Sequence, residues 1–241
     1  MLKYSISKRN KNIQPRRLFP EYESTVFRSP KKESTLISPT MTELTGPIFN
    51  KKLIRKLDND LTKNFSKNGN KAIGQEIFLH GYVKDQFGFP QKNVLIEIWQ
   101  ANAGGKYRHF QDRNKVSLDP NFCGCGRFIT SSNGYYYFNT IQPGAYPFPN
   151  HGISWRPMHI HFSLFGECFA QRLVTQMYFE GDPLIPFCSM INSIPNKKAK
   201  SSLIANLDFS KSETNKLLAY RFDIFLRGKK QTLFENRMEG L

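Results

Sequence analysis

Nothing in these 241 residues approaches the roughly 18 consecutive apolar residues of a membrane-spanning helix. The opening run from Met1 to Lys11 also lacks the apolar stretch of a secretory leader, so we expect a cytoplasmic protein that neither crosses nor binds a membrane. Cysteine is scarce: four residues, at 123, 125, 168 and 188, are too few and too unevenly placed for a disulfide framework. The pair Cys123-Gly-Cys125 lacks the repeated spacing of a structural zinc site. Acidic residues number only 19 against 35 Lys and Arg, a formal charge of +16. That surplus is spread over both ends of the chain instead of being gathered on one element, which argues against a nucleic-acid interface. A solvated basic surface, an acidic partner subunit and steering of an anionic substrate all remain compatible with it. Regular alternation of strands with long helical patterns is missing too, and no internal repeat is present, which excludes an α/β fold.

What the chain does have is aromatic residues, 21 Phe and 10 Tyr, whose flat side chains pack well on pleated strands. Residues 1 to 72 are polar and basic, with Pro15, Pro20, Pro30, Pro39 and Pro47, and suit an arm that makes subunit contacts. Within it Leu53, Ile54, Leu57, Leu61 and Phe65 fall at helical spacing after a possible cap at Asn50, which predicts one amphipathic helix. Residues 73 to 241 read as a mainly β domain, an antiparallel β-sandwich. Its expected strands are Ile77 to Val83, Val94 to Gln100, Tyr135 to Ile141, His159 to Phe165, Leu173 to Phe179 and Tyr220 to Leu226. The turn from Asp85 to Pro90 joins the first two. Two long stretches, Ala103 to Gly134 and Gln142 to Pro157, read as ordered loops covering a site.

The sharpest local pattern is Trp155-Arg-Pro-Met-His159-Ile-His161. Residues two apart on a strand share a face, so His159 and His161 present two imidazoles side by side while Ile160, Phe162 and Leu164 take the other face. Such a pair is a ready chelate for a first-row metal, or simply two histidines on a wet face. Tyr107 and Tyr146, one in each covering loop, are candidate anionic oxygen donors; two phenolates with two imidazoles favour Fe(III). Taken alone, each tyrosine reads equally as an ordinary loop aromatic. A facial triad of His159, His161 and Glu167, as in cupin-like metal enzymes, is the competing metal reading. A non-catalytic basic binding module is the third.

Six segments taken in order carry a resemblance: Ile98 to His109; Leu118 to Phe122 with Gly124 to Arg127; Asn133 to Tyr136; Trp155 to His161; Tyr178 to Ile185; and Ala219 to Ile224 with Leu226 to Gly228. Over about residue 42 to the C-terminus the chain resembles the iron-carrying β-type subunits of the intradiol ring-cleavage dioxygenases. The resemblance implies Fe(III) held by Tyr107, Tyr146, His159 and His161, with Tyr146 the ligand displaced by substrate. It gives Arg156 and Gln176 the part of stabilising charge on the bound ring. It further implies a homologous α chain as partner. The reaction it implies is cleavage of 3,4-dihydroxybenzoate by O₂ to 3-carboxy-cis,cis-muconate in aromatic catabolism through the β-ketoadipate route, another substituted catechol being the alternative. Three positions depart from the family pattern: Phe148 stands where Trp is usual, Cys123 where Gly is usual and Met158 where Ala is usual. None removes a ligand, so they bear on substrate range more than on chemistry.

Overall fold

Strands form wherever apolar and polar residues alternate, and the computed structural model describes them within residues 13–32, 52, 54–85, 87–166 and 172–226. In chain order they are β1 Glu76–Lys84, β2 Leu95–Gln100, β3 Cys125–Ile129, β4 Tyr135–Ile141, β5 Tyr146–Pro149, β6 Ile153–Arg156, β7 His159–Phe165, β8 Arg172–Phe179, β9 Ile204–Leu207, β10 Leu218–Arg221 and β11 Ile224–Phe225. Three short helices, α1 Ser24–Arg28, α2 Ser189–Asn192 and α3 Lys197–Ser201, complete the elements with a 3₁₀ turn at Ile185–Phe187. None of the described helices is long and apolar enough to cross a membrane.

One sheet runs in the order β11-β1-β10-β9-β8-β7-β2-β3, with β4 also on β1, and β5 pairs separately with β6. The sheet folds on itself through β9 into two facing layers, as expected of a sandwich. Leu79, Tyr136 and Phe138 on one side meet Ile98, Ile160 and Phe162 on the other, all at or below 1% exposure. The Tyr136 and Phe162 rings cross the layers at 6.1 Å, and the Tyr136 hydroxyl satisfies itself on the Phe222 carbonyl at 2.5 Å. Burying a side chain such as Phe162 is worth roughly 1.5–3 kcal/mol, so this seam fixes how the layers sit.

The pairing is mixed instead of wholly antiparallel. β1 runs parallel to β10 and β11, and β8 parallel to β9. The expected strand from Tyr220 to Leu226 keeps its buried alternation at Tyr220, Phe222, Ile224 and Leu226 but breaks after Arg221. There the Asp223 carboxylate accepts the Tyr82 N–H at 3.1 Å, so a side chain replaces a ladder carbonyl.

The amphipathic helix does not form: residues 54–65 run as turns, Leu53 lying outside the described residues. Their backbone groups are used elsewhere. Leu61 N–H donates to Asn139 at 2.8 Å, and the Asp58 carbonyl accepts from Arg127 at 2.8 Å. Leu61 and Ala72 thereby enter the core from the arm. The two expected loops also contain strands, β3 in the first and the β5–β6 hairpin in the second.

Candidate metal centre

β7 has the predicted bounds, and its alternation separates two functions. Ile160, Phe162 and Leu164 are wholly buried in the core, while His159 and His161 face the other way. Two fixings hold the imidazoles. His159 Nδ1 donates to the Pro157 carbonyl at 2.7 Å; since a carbonyl only accepts, Nδ1 carries the proton and Nε2 presents a lone pair. His161 stacks on Trp99, its cross-strand partner on β2, at 4.7 Å and 3°. The His159 and His161 ring centres lie 5.0 Å apart. Asp182 pins the approach to the strand, accepting from Met158 N–H at 2.7 Å and Leu184 N–H at 2.9 Å.

Both tyrosines arrive over this face. The Tyr107 and Tyr146 hydroxyls each lie 3.3 Å from His159 Nε2, with their rings edge to face at 5.5 Å. Tyr107 is placed by its own loop: Asp112 accepts its N–H at 2.8 Å, and Lys106 Nζ caps the Asp112 carbonyl at 3.0 Å. Gly105, at φ +80°, lets that loop touch the next, because a Cβ there would meet the Ala145 carbonyl at 2.4 Å. Tyr146 sits on β5 directly opposite Arg156 on β6.

Two hydroxyls, each 3.3 Å from the imidazole nitrogen, fit neighbours around a first-row ion bound at roughly 2.0–2.1 Å, which places adjacent donors about 3 Å from one another. The donor set, two oxygens that can become anionic and two imidazoles, suits a hard trivalent cation such as Fe(III). Among the described residues no three of His, Cys, Asp and Glu gather to hold an ion, and Glu167 of the competing triad lies outside the described residues.

Electrostatics agree with this chemistry. Burial, then the Arg156 charge, pushes His161 down to about 4, and the same causes hold His159 well below the ordinary imidazole range. Both are therefore neutral, the form that ligates. Burial raises Tyr107 far above a free phenol, and raises Tyr146 while Arg156 pulls it back. Without a cation the site holds neutral phenols. Arg156 is buried, donates to Gln176 Oε1 and lies 3.4 Å from the Tyr178 hydroxyl, which itself donates to Gln176 at 3.2 Å. Its Nε has no partner among the described residues.

A cleft of about 780 Å³ opens onto Tyr107, Tyr146 and His161, walled by Trp99, Phe148 and Ile153. A second cavity of about 240 Å³ meets His161, Gln176 and Tyr178 and is closed by Arg16, Tyr22 and Arg28 of the N-terminal segment. That segment is tied to the tip of the β5–β6 hairpin: buried Asn150 accepts Glu23 N–H at 2.8 Å and donates to the Glu21 carbonyl at 3.0 Å. Tyr22 meets Phe148 edge on at 6.4 Å.

All six residues singled out from sequence thus converge: Tyr107, Tyr146, Arg156, His159, His161 and Gln176. Sequence reasoning missed Trp99, Tyr178, Asp182 and the N-terminal wall. Pairing the two predicted strands antiparallel would have found Tyr178, which lies opposite His159 as Gln176 lies opposite His161. No local pattern signals Arg16, Tyr22 or Arg28.

Comparison with known proteins places the chain among relatives. Residues 44–228 match the family described as dioxygenase, and residues 8–40 match the N-terminal region of protocatechuate 3,4-dioxygenase beta subunits. The chain is 44% identical over 221 residues to the protocatechuate 3,4-dioxygenase beta chain of Burkholderia cepacia, covering 92% of this chain and 93% of that one. It is 31% identical over 165 residues to the protocatechuate 3,4-dioxygenase alpha chain of Pseudomonas putida, covering 68% and 77% respectively. Among solved structures, 3-chlorocatechol 1,2-dioxygenase from Rhodococcus opacus matches with a TM-score of 0.55 at 25% identity, covering 76% of this chain and 70% of that one.

Proposed function

The chain belongs to the intradiol dioxygenase family, and from that premise we propose that it is the iron-bearing subunit of an enzyme that cleaves protocatechuate, 3,4-dihydroxybenzoate, with O₂ to 3-carboxy-cis,cis-muconate. The observation that carries this reading is the convergence of the Tyr107 and Tyr146 hydroxyls on the unprotonated nitrogen of His159, with His161 alongside. Held by these four residues, Fe(III) would supply a Lewis-acidic centre that acidifies a catechol and makes its ring reactive towards O₂.

The rest of the work falls to side chains. A catechol brings two phenolic protons: Tyr146, as the phenolate that a bound cation would favour, would accept one, and the other would pass to solvent. Tyr107 stays, held by Asp112 and Lys106. The buried Arg156 guanidinium offsets negative charge on the ring oxygens, and Gln176 fixes its orientation by accepting from Nη2. Arg16 and Arg28, in the cavity beyond Gln176, suit an anionic ring substituent such as the carboxylate. Phe148 closes the cleft without the N–H donor a tryptophan would bring.

The chain works in the cytoplasm beside a homologous alpha chain, a pairing supported by relatives named as beta and alpha chains. The arm, residues 1 to 72, contributes to that contact, and residues 73 to 241 carry the catalytic sandwich. An iron assay with a visible spectrum tests the ligand set: phenolate-to-iron charge transfer makes the resting protein red to burgundy, and a colourless preparation with full iron would overturn it. Anaerobic titration with several catechols while that band is followed, then O₂ uptake and product analysis, tests the substrate.

A further inference from the structure

Cys123 and Cys125 lie outside the chemistry described so far, yet both line the main cleft and the adjoining cavity of about 400 Å³. We propose that they form a two-sulfur site for a soft monovalent cation, Cu(I), in the wall of the catalytic cleft. The site is independent of the reading above.

The turn between the two thiols is rigid. Gly124 has φ +80°, and a Cβ there would meet the Gln100 carbonyl at 2.5 Å; Gln100 N–H donates back to Gly124 at 2.9 Å. This turn folds Cys123 Sγ over its neighbour, where it accepts the Cys125 N–H at 3.4 Å. In the free thiol Cys123 Sγ–H points to the Cys125 carbonyl at 3.4 Å, a contact that metal binding would give up, while the Cys125 amide would remain to support the thiolate. Asn64 ties the turn down, donating to the Cys125 carbonyl at 2.8 Å, with its own Oδ1 3.5 Å from Cys123 Sγ. Both thiols are free, Cys125 exposed and Cys123 half-buried, whereas Cys188 is sealed in the interior.

The number of donors selects the cation. No third His, Cys, Asp or Glu completes a cluster here among the described residues, so a tetrahedral zinc site cannot be assembled from them. Cu(I) prefers thiolate and is satisfied by two. Burial and the adjacent Cys123 push the Cys125 thiol up, with Arg127 pulling against them and Glu97 adding to them, so Cys125 is protonated before a cation binds. Binding breaks two S–H bonds, forms two S–Cu bonds and releases both protons to water, with no change of oxidation state.

Position gives the site a reporter. Cys125 on β3 is the cross-strand partner of Trp99 on β2, which in turn stacks on His161. Two strand spacings put the thiol about 10 Å from that imidazole. A bound Cu(I) should therefore quench Trp99.

The test titrates the full-length iron protein anaerobically with Cu(I) against a competing Cu(I) chelator, in a Cys168→Ser, Trp155→Phe background. One Cu(I) per chain, with thiolate absorption and Trp99 quenching rising together, is expected. Cys123→Ser and Cys125→Ser should each weaken binding at least about 100-fold while iron content and near-ultraviolet circular dichroism stay at the parent's values. Zn(II) should not compete. Unchanged binding in the double variant, absence of binding in the parent, or equal occupancy by Zn(II) would each overturn the proposal.

Discussion

Two regions supply the donor cluster by different means. The imidazoles stand on β7, bonded on both sides to β2 and β8, so register alone sets their spacing. The phenols hang from segments outside that sheet, Tyr107 from a loop and Tyr146 from the two-stranded β5–β6 hairpin. Paired strands make a site that stays in place. Hanging segments make one whose members can differ in mobility, which the proposed exchange of Tyr146 for substrate would require.

The hardest blow to that division should come from the strand side. His159→Ala removes the nitrogen on which both hydroxyls converge, and iron affinity should fall by more than the roughly 10–100-fold typical of losing an outer partner. Iron retention in the purified variant above half of the parent's would break the comparison at once. On the hanging side the two tyrosines should part company. Tyr107→Phe should also lose iron, whereas Tyr146→Phe should keep it, shift the visible band and slow turnover about 10²–10⁴-fold. Stopped-flow mixing with protocatechuate locates the slow steps in substrate chelation and product release; a wild-type rate would refute the separate roles. Arg156→Ala, at the far end of the hairpin, should retain iron and cost about 10²–10³ in turnover if, as proposed, its charge acts on the ring and not on the metal. Matching loss of iron would mean that it holds the hairpin together instead.

The smallest effect belongs to the scaffold. Burial alone would raise the Asp223 carboxyl, but Arg221, the Tyr82 N–H and Lys84 outweigh it and hold it below the ordinary carboxylate range. Its stabilisation is therefore complete above the unfolded value of about 3.9 and is lost as pH falls through the lower folded value. Asp223→Asn should cost about 1 kcal/mol at pH 7 and flatten thermal stability between pH 5 and pH 3, with iron and colour unaltered, as read from unfolding monitored by circular dichroism across that range.

This division also explains what the sequence could convey. β4 and β7 begin and end where alternation predicts, since a two-residue period with a fully buried face leaves a strong mark. The strand from Tyr220 was read correctly for burial and incorrectly for continuity, because its break depends on Asp223 capturing an amide 141 positions away. Leu57, Leu61 and Phe65 imitate a helix by spacing, yet only Leu61 is deeply buried; the Asp58 and Asn59 carbonyls and the Leu61 N–H bond to the sheet, while the Asp58, Asp60 and Lys63 N–H groups close local turns. Tyr107 and Tyr146 have no periodic signature: their place in the covering loops makes them candidate donors, and only the family resemblance separates that reading from ordinary loop aromatics. The N-terminal wall had neither kind of signal.

The hairpin has an evolutionary meaning as well. Phe148 and Ile153 line the cleft from strands that hydrogen-bond only to each other within the sheet scheme, and Asn150 moors their tip to the N-terminal segment. Selection can therefore revise the shape of the cleft there while the imidazole strand and its neighbours go untouched. Descendants that exchange Phe148 for other side chains inherit the same reaction with a different appetite, and a branch that loses the Asn150 mooring must find another anchor for its hairpin.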